Sequence, residues 1–169
     1  MKKKLLFALA TLLMLTLVLT GCGSNETDNN TSNEEKGYEF VSNGVNIPML
    51  AQADTVLSEL GEENTYFEAE SCAYQGMDKI YTYNGFEVRT NEIDSKDYVT
   101  SVLLIDDSVS TPEGVALFMT KEDMTQAYGE NYSEELGLYT YSKGESKLSF
   151  LIKDNEITSI EYTAVTEDK

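Results

Sequence analysis

Apolar and polar positions fall into three regimes along the chain. Leu5 to Val18 is an unbroken run without a charge, mostly apolar and entered through Lys2, Lys3 and Lys4. Gly23 to Gly37 (GSNETDNNTSNEEKG) then has no aliphatic or aromatic residue. Such a segment cannot offset its own ordering entropy and reads as a disordered tether, with a flexible-coil reach of about 20 Å. From Tyr38 onward apolar residues return in short periodic groups, which is where a folded core must lie.

Within that third regime the pattern is given twice. Gly44-Val45-Asn46-Ile47-Pro48-Met49 matches Gly114-Val115-Ala116-Leu117-Phe118-Met119, and Leu60-Gly61-Glu62 matches Tyr128-Gly129-Glu130. Ile80-Tyr81-Thr82-Tyr83 matches Leu138-Tyr139-Thr140-Tyr141, and Val99-Thr100-Ser101-Val102 matches Ile157-Thr158-Ser159-Ile160. Four matches in the same order predict an internal repeat, with about ten extra residues between Gly61 and Ile80 in the first unit.

Each unit has a physical reading. Val56, Leu57 and Leu60 form the apolar stripe of a helix closed by Gly61. In the second unit Thr120 is a candidate N-cap with Asp123 completing a capping box, and Gly129 is placed for the left-handed position after the helix. Predicted strands cover 79–83, 86–91 and 98–105, then 138–142, 147–153 and 156–163. Asn84-Gly85, Lys143-Gly144 and Asp154-Asn155 serve as turns. Phe86 and Val88 alternate with Glu87 and Arg89, so one sheet face is apolar and the other partly polar.

The expected fold class is therefore α+β: two tandem repeats, each a short strand, a helix and an antiparallel three-stranded meander. The repeat domain is expected over 38–169, with units at about 44–107 and 112–165. This order of elements resembles the tandem fold of the β-lactamase inhibitory proteins and of related small bacterial envelope lipoproteins, including clostridial-type surface lipoproteins of unknown function. The resemblance covers about residues 44 to 165 and implies a sheet used as a protein-binding surface with helices behind it. The inhibitors' disulfides have no counterpart in this sequence.

The first regime sets location. Its positive start and short apolar run read as a secretory signal peptide over residues 1–21. Leu19-Thr20-Gly21-Cys22 at its end resembles the bacterial lipobox, which implies lipid attachment (diacylglyceryl, with palmitate as a typical acyl group) to Cys22 and cleavage before it. Several acyl chains on one cysteine suffice for stable anchoring, at about 0.8 kcal/mol per buried methylene. Residues 22–37 then become lipidated cysteine and tether. The expected location is the extracytoplasmic face of the cell membrane, with the membrane as partner through the anchor.

Charge and composition narrow the functions. The net charge of −18 becomes −21 once residues 1–21, with three lysines and no acid, are removed. Nucleic acid is excluded as a partner, since its phosphates require Lys and Arg. An acidic surface either solubilises an extracellular domain or attracts cations and basic partners. Histidine is absent, which removes the commonest general base and metal ligand. With Cys22 lipidated, Cys72 stands alone, so no intramolecular disulfide forms. Cys72 reads as a small buried residue. No phosphate loop, metal-ligand pair or cofactor motif is present, and acidic pairs such as Asp106 and Asp107 read as a solvated turn.

What remains are Tyr81 and Tyr83, Tyr139 and Tyr141, spaced so that each pair projects from one sheet face. Either they form an aromatic floor for a protein partner, or they pack against the helices with Ile80 and Leu138 turned outward. The sequence thus points to a non-enzymatic envelope lipoprotein. Its folded domain is expected to bind a protein or envelope polymer; the alternatives are an assembly lipoprotein of an envelope complex and, more remotely, a carboxylate-based hydrolase.

Overall fold

The computed structural model describes residues 36–72 and 76–166. The signal segment, the lipobox residues Leu19, Thr20, Gly21 and Cys22, and nearly all of the tether lie outside the described residues. The remainder belongs to one compact unit, Asn33–Lys169.

The chain opens with a hairpin, β1 (Glu39–Ser42) and β2 (Val45–Pro48), followed by α1 (Ala53–Leu60). Next come β3 (Thr65–Glu70), β4 (Met77–Thr82), β5 (Phe86–Ile93) and β6 (Lys96–Leu104). After α2 (Lys121–Tyr128) follow β7 (Ser133–Glu135), β8 (Leu138–Lys143), β9 (Ser146–Lys153) and β10 (Glu156–Ala164). The last eight strands form one antiparallel sheet in the order β3-β4-β5-β6-β10-β9-β8-β7, while β1 and β2 pair only with each other.

This corrects the expected α+β class. The described chain is mostly β, with 51% strand and 12% helix, and it does not repeat a strand, a helix and a three-stranded meander. Four strands follow each helix because β3 and β7 extend the sheet at either edge. The segment ahead of α2, expected to match β2, is turns rather than a strand. β2 itself is taken by β1 and never enters the large sheet.

Some local devices nevertheless recur. Leu50 donates to the Val99 carbonyl at 2.8 Å and Val99 donates back to Ala51 at 2.9 Å; Phe118 donates to Ile157 at 2.9 Å and Ile157 to Met119 at 2.8 Å. Both loops turn through a positive φ, 61° at Leu50 and 69° at Phe118, and so hook each helix start onto an inner strand. The hooked strands carry bulges, where the register shifts between Arg89 and Thr90 and between Ile157 and Ser159.

Sequence accounts for the helix ends. Thr120 and Asp123 exchange the reciprocal bonds of a capping box, Asp123 N–H donating to Thr120 Oγ1 at 3.3 Å and Thr120 N–H to Asp123 Oδ2 at 2.9 Å. Gly61 and Gly129 stop the helices, at φ 82°, ψ −158° and φ 80°, ψ −169°, so that Gly129 does not take the left-handed helical position expected of it. Only glycine occupies that combination readily.

The core lies between the hairpin, the two helices and one face of the large sheet. Phe40 and Ile47 of the hairpin, Val56 of α1 and Met124 of α2 meet Val88, Val102, Leu148, Phe150, Ile160 and Tyr162 from the strands. Phe40 packs against Phe86 at 5.0 Å and Tyr162 at 5.9 Å between ring centres. Cys72, expected to be buried, is exposed beyond the end of β3.

Candidate binding surface

The side chains of a strand alternate between faces, and the register decides which face each tyrosine takes. Tyr81 stands opposite Val88 and Tyr141 opposite Leu148, and both neighbours are core residues. All four sequence-predicted tyrosines thus project toward the helices. Tyr83 and Tyr141 are buried there, with 8% and 2% of their surface exposed. Each hydroxyl donates to the carbonyl of a helix-ending glycine, Tyr83 to Gly61 at 3.4 Å and Tyr141 to Gly129 at 2.7 Å. Burial raises the hydroxyl pKa of both, that of Tyr141 to about 12.

Tyr81 and Tyr139 sit further out and are half-buried. Tyr81 packs on Tyr66 and Tyr139 on Tyr132, each at 5.0 Å. The Lys121 ammonium lies 4.6 Å from the Tyr139 ring centre, a cation-π contact that ties α2 to the sheet edge. The four residues therefore do not make an open floor; two are core and two are shoulders of the helix layer.

The opposite face of the sheet is the open one, since nothing among the described residues packs on it. One row across it runs Phe67, Ile80, Arg89, Ser101 and Thr163; a second runs Thr82, Glu87, Leu103, Glu161, Ser149 and Thr140. Its centre is polar. Arg89, the single arginine of the sequence, places Nη2 3.1 Å from Glu87 and Nη1 3.8 Å from Glu161. Ser101 donates to Glu161 at 2.7 Å, and the hydroxyls of Thr140 and Ser149 meet at 3.0 Å. Arg89 Nε is buried without a hydrogen-bond partner among the described residues. These half-exposed ion pairs add little stability of their own, so their main effect is to fix the guanidinium between Glu87 and Glu161 at the middle of the face.

Both ends of this face are apolar. Phe67, 58% exposed, lies beside Ile80 at one end. At the other, Leu138 pairs across strands with Leu151, and Leu136 in the β7–β8 turn is 94% exposed. No sequence pattern singled out this arrangement. The alternation in β5 and β9 marked two faces, but only the placement of the helices decides which one stays open.

Elsewhere a half-open cleft of about 580 Å³ lies between residues 36–39, Pro48, Met49 and the β8–β9 turn, without convergent groups suited to chemistry. Among the described residues no cluster of Cys, Asp and Glu is set to hold a metal ion, and no helix is long and apolar enough to cross a membrane. No protein-family model, curated protein or solved structure matches this chain.

Proposed function

We propose that this chain is a cell-envelope lipoprotein, held at the extracytoplasmic face of the membrane through Cys22, whose folded domain is a non-catalytic module that binds a protein on its open sheet face. The observation that carries the reading is the asymmetry of the eight-stranded sheet: one face is packed into the core, and the other bears a fixed polar centre between two exposed apolar ends.

Size favours a protein over a small ligand. Eight strands at a spacing of about 4.8 Å span about 34 Å, and central strands of eight or nine residues run roughly 27 Å. Allowing for the shorter edge strands, the face offers on the order of 700 Å², close to the roughly 800 Å² per partner of a standard protein interface. Its layout, apolar anchors separated by hydrogen-bonding groups, suits a folded partner whose own surface offers two apolar contacts about one sheet-width apart. The signal segment and the lipobox support the location. The lack of histidine supports a non-catalytic role.

The test is affinity capture from detergent-solubilised membranes with the full-length protein as bait. One stoichiometric partner, lost when Phe67→Ser and Leu151→Ser are combined and kept by a surface variant outside the face such as Glu59→Ser, is the expected result. Retention of the same partner by the face variant refutes the sheet face, and recovery of a large assembly indifferent to it points to an assembly role instead. In the same preparation Cys22→Ala should abolish fatty-acid labelling; persistent labelling removes the anchor from the reading.

A further inference from the structure

We infer that β3 is an acceptor edge for a ninth strand, and that the strand it accepts is an extended polypeptide segment alternating basic and apolar residues. This surface lies at the rim of the sheet and shares Phe67 with the open face.

The two edges of the sheet are unlike. β7 is three residues long and reads Ser-Glu-Glu, too short to template another strand. β3 has six residues, Thr-Tyr-Phe-Glu-Ala-Glu, with neither a proline nor a lysine nor a register shift against β4, the usual guards of an exposed edge. Its phase follows from the ladder. Ser71 donates its N–H to the Gly76 carbonyl at 3.1 Å, in the same register that pairs Thr65 with Thr82, Phe67 with Ile80 and Ala69 with Asp78. Antiparallel strands exchange hydrogen bonds at every second residue. Residues 65, 67 and 69 therefore turn their backbone groups toward β4, while Tyr66, Glu68 and Glu70 turn theirs to the rim.

Side chains name the guest. Glu68 and Glu70 lie on the helix side of β3 with Tyr66, whose hydroxyl donates to Glu68, and Glu62 and Glu63 precede the strand. Lys79, opposite Glu68 on β4, is engaged by Asp97. An added strand thus meets carboxylates and an aromatic ring on one face, which favour Lys or Arg, and the exposed Phe67 on the other, which favours an apolar side chain. A second copy of this chain is a poor guest, because it would bring another Glu68 and Glu70 alongside the first and join two molecules of net charge −18.

The probe is a ten-residue peptide alternating lysine and valine, added to the full-length protein in zwitterionic micelles, with amide exchange followed residue by residue. With free peptide at about ten times its dissociation constant, exchange at Tyr66, Glu68 and Glu70 should slow about tenfold, while Phe67 and Ala69, already facing β4, stay unchanged. A glutamate-valine peptide should not bind, nor should the lysine-valine peptide carrying N-methyl groups on its pairing edge. Glu68→Lys combined with Glu70→Lys, both at exposed positions, should abolish protection with the rest of the amide spectrum unmoved; if that variant unfolds, Glu70→Gln should still weaken binding severalfold. Failure of the peptide to bind saturably, binding without the alternating pattern of protection, or equal binding of the acidic peptide each overturns the inference.

Discussion

Replacing Tyr141 and Tyr83 singly by phenylalanine separates their hydroxyl bonds from the packing of their rings. Both hydroxyls point at a helix-terminating glycine carbonyl, but the bonds differ: 2.7 Å for Tyr141, on a residue 2% exposed, and 3.4 Å for Tyr83, 8% exposed. A hydrogen bond of ordinary length contributes a net of about 1 kcal/mol, and Gly129 is exposed, so its carbonyl can take water when its donor is deleted, whereas a bond at the limit of length contributes little. Tyr141→Phe should therefore destabilise by about 1 kcal/mol and Tyr83→Phe by less than about 0.5 kcal/mol. Tyrosine to alanine at either site should cost about 3 to 5 kcal/mol, since the ring fills the helix-sheet interface. Urea unfolding followed by far-UV circular dichroism reads this directly: with a slope of about 1.5 kcal/mol per molar, Tyr141→Phe moves the midpoint down by about 0.7 M and leaves the slope alone. Alanine variants within about 0.5 kcal/mol of the parent would mean exposed rings and restore the open tyrosine floor. Equal losses for the two phenylalanine variants would remove the carbonyl contact from the explanation.

Two further expectations follow from the same region. Gly129→Ala should cost about 1 to 3 kcal/mol although no atom lies within 4 Å of the added methyl, because φ 80° with ψ −169° is nearly closed to side-chain-bearing residues; an unchanged midpoint would show that the helix end relaxes freely. Burial raises the hydroxyl pKa values of Tyr128, Tyr141 and Tyr162 in the folded state, Tyr141's to about 12, so their neutral forms stabilise the fold fully below an unfolded value near 10, and that contribution is lost as pH climbs toward and past 12. Stability should be flat from pH 7 to 9 and fall above 10, with tyrosinate absorbance rising together with unfolding; ionisation of all eleven tyrosines near pH 10 without unfolding contradicts the burial.

Sequence periodicity located the inner strands and both helix ends well, and it failed at the margins for a physical reason. β5, β6, β9 and β10 each bury one face, so their alternation is strong. β3 and β7 are almost entirely exposed, and a strand with nothing to bury leaves no period to read. The stretch holding β3 therefore reads as an insertion, and the periodic pattern shows only three of the four strands that follow each helix. The same limit applies to the tyrosines. A spacing of two residues fixes that Tyr81 and Tyr83 share a face, and Tyr139 and Tyr141 likewise, but which face is covered depends on long-range packing by Phe40, Val56 and Met124. Arg89 was legible only as the polar half of an alternation; its meeting with Glu161, far away in sequence, needs the β6–β10 seam.

Leu136 gives the open face its sharpest test, because the domain's own stability offers no reason for a leucine there. It is 94% exposed at φ 52°, in a turn whose next residue must be glycine, since a Cβ on Gly137 would lie 2.9 Å from the Ile152 carbonyl. An ordinary side chain in the left-handed region loses about 1 to 2 kcal/mol, and asparagine, which tolerates that region, loses less. Leu136→Asn should thus stabilise the isolated protein by a few tenths to about 1 kcal/mol, raising the urea midpoint. If Leu136 joins the Leu138–Leu151 pair as an anchor for a partner, the same change should weaken capture of that partner by tenfold or more, about 1.4 kcal/mol, mainly through faster dissociation. Gain in stability with loss of binding is the signature expected of a residue kept for contact. A variant that gains stability and binds as before would confine the interface to the Phe67 end, and one that loses stability would show that Leu136 packs on the domain after all.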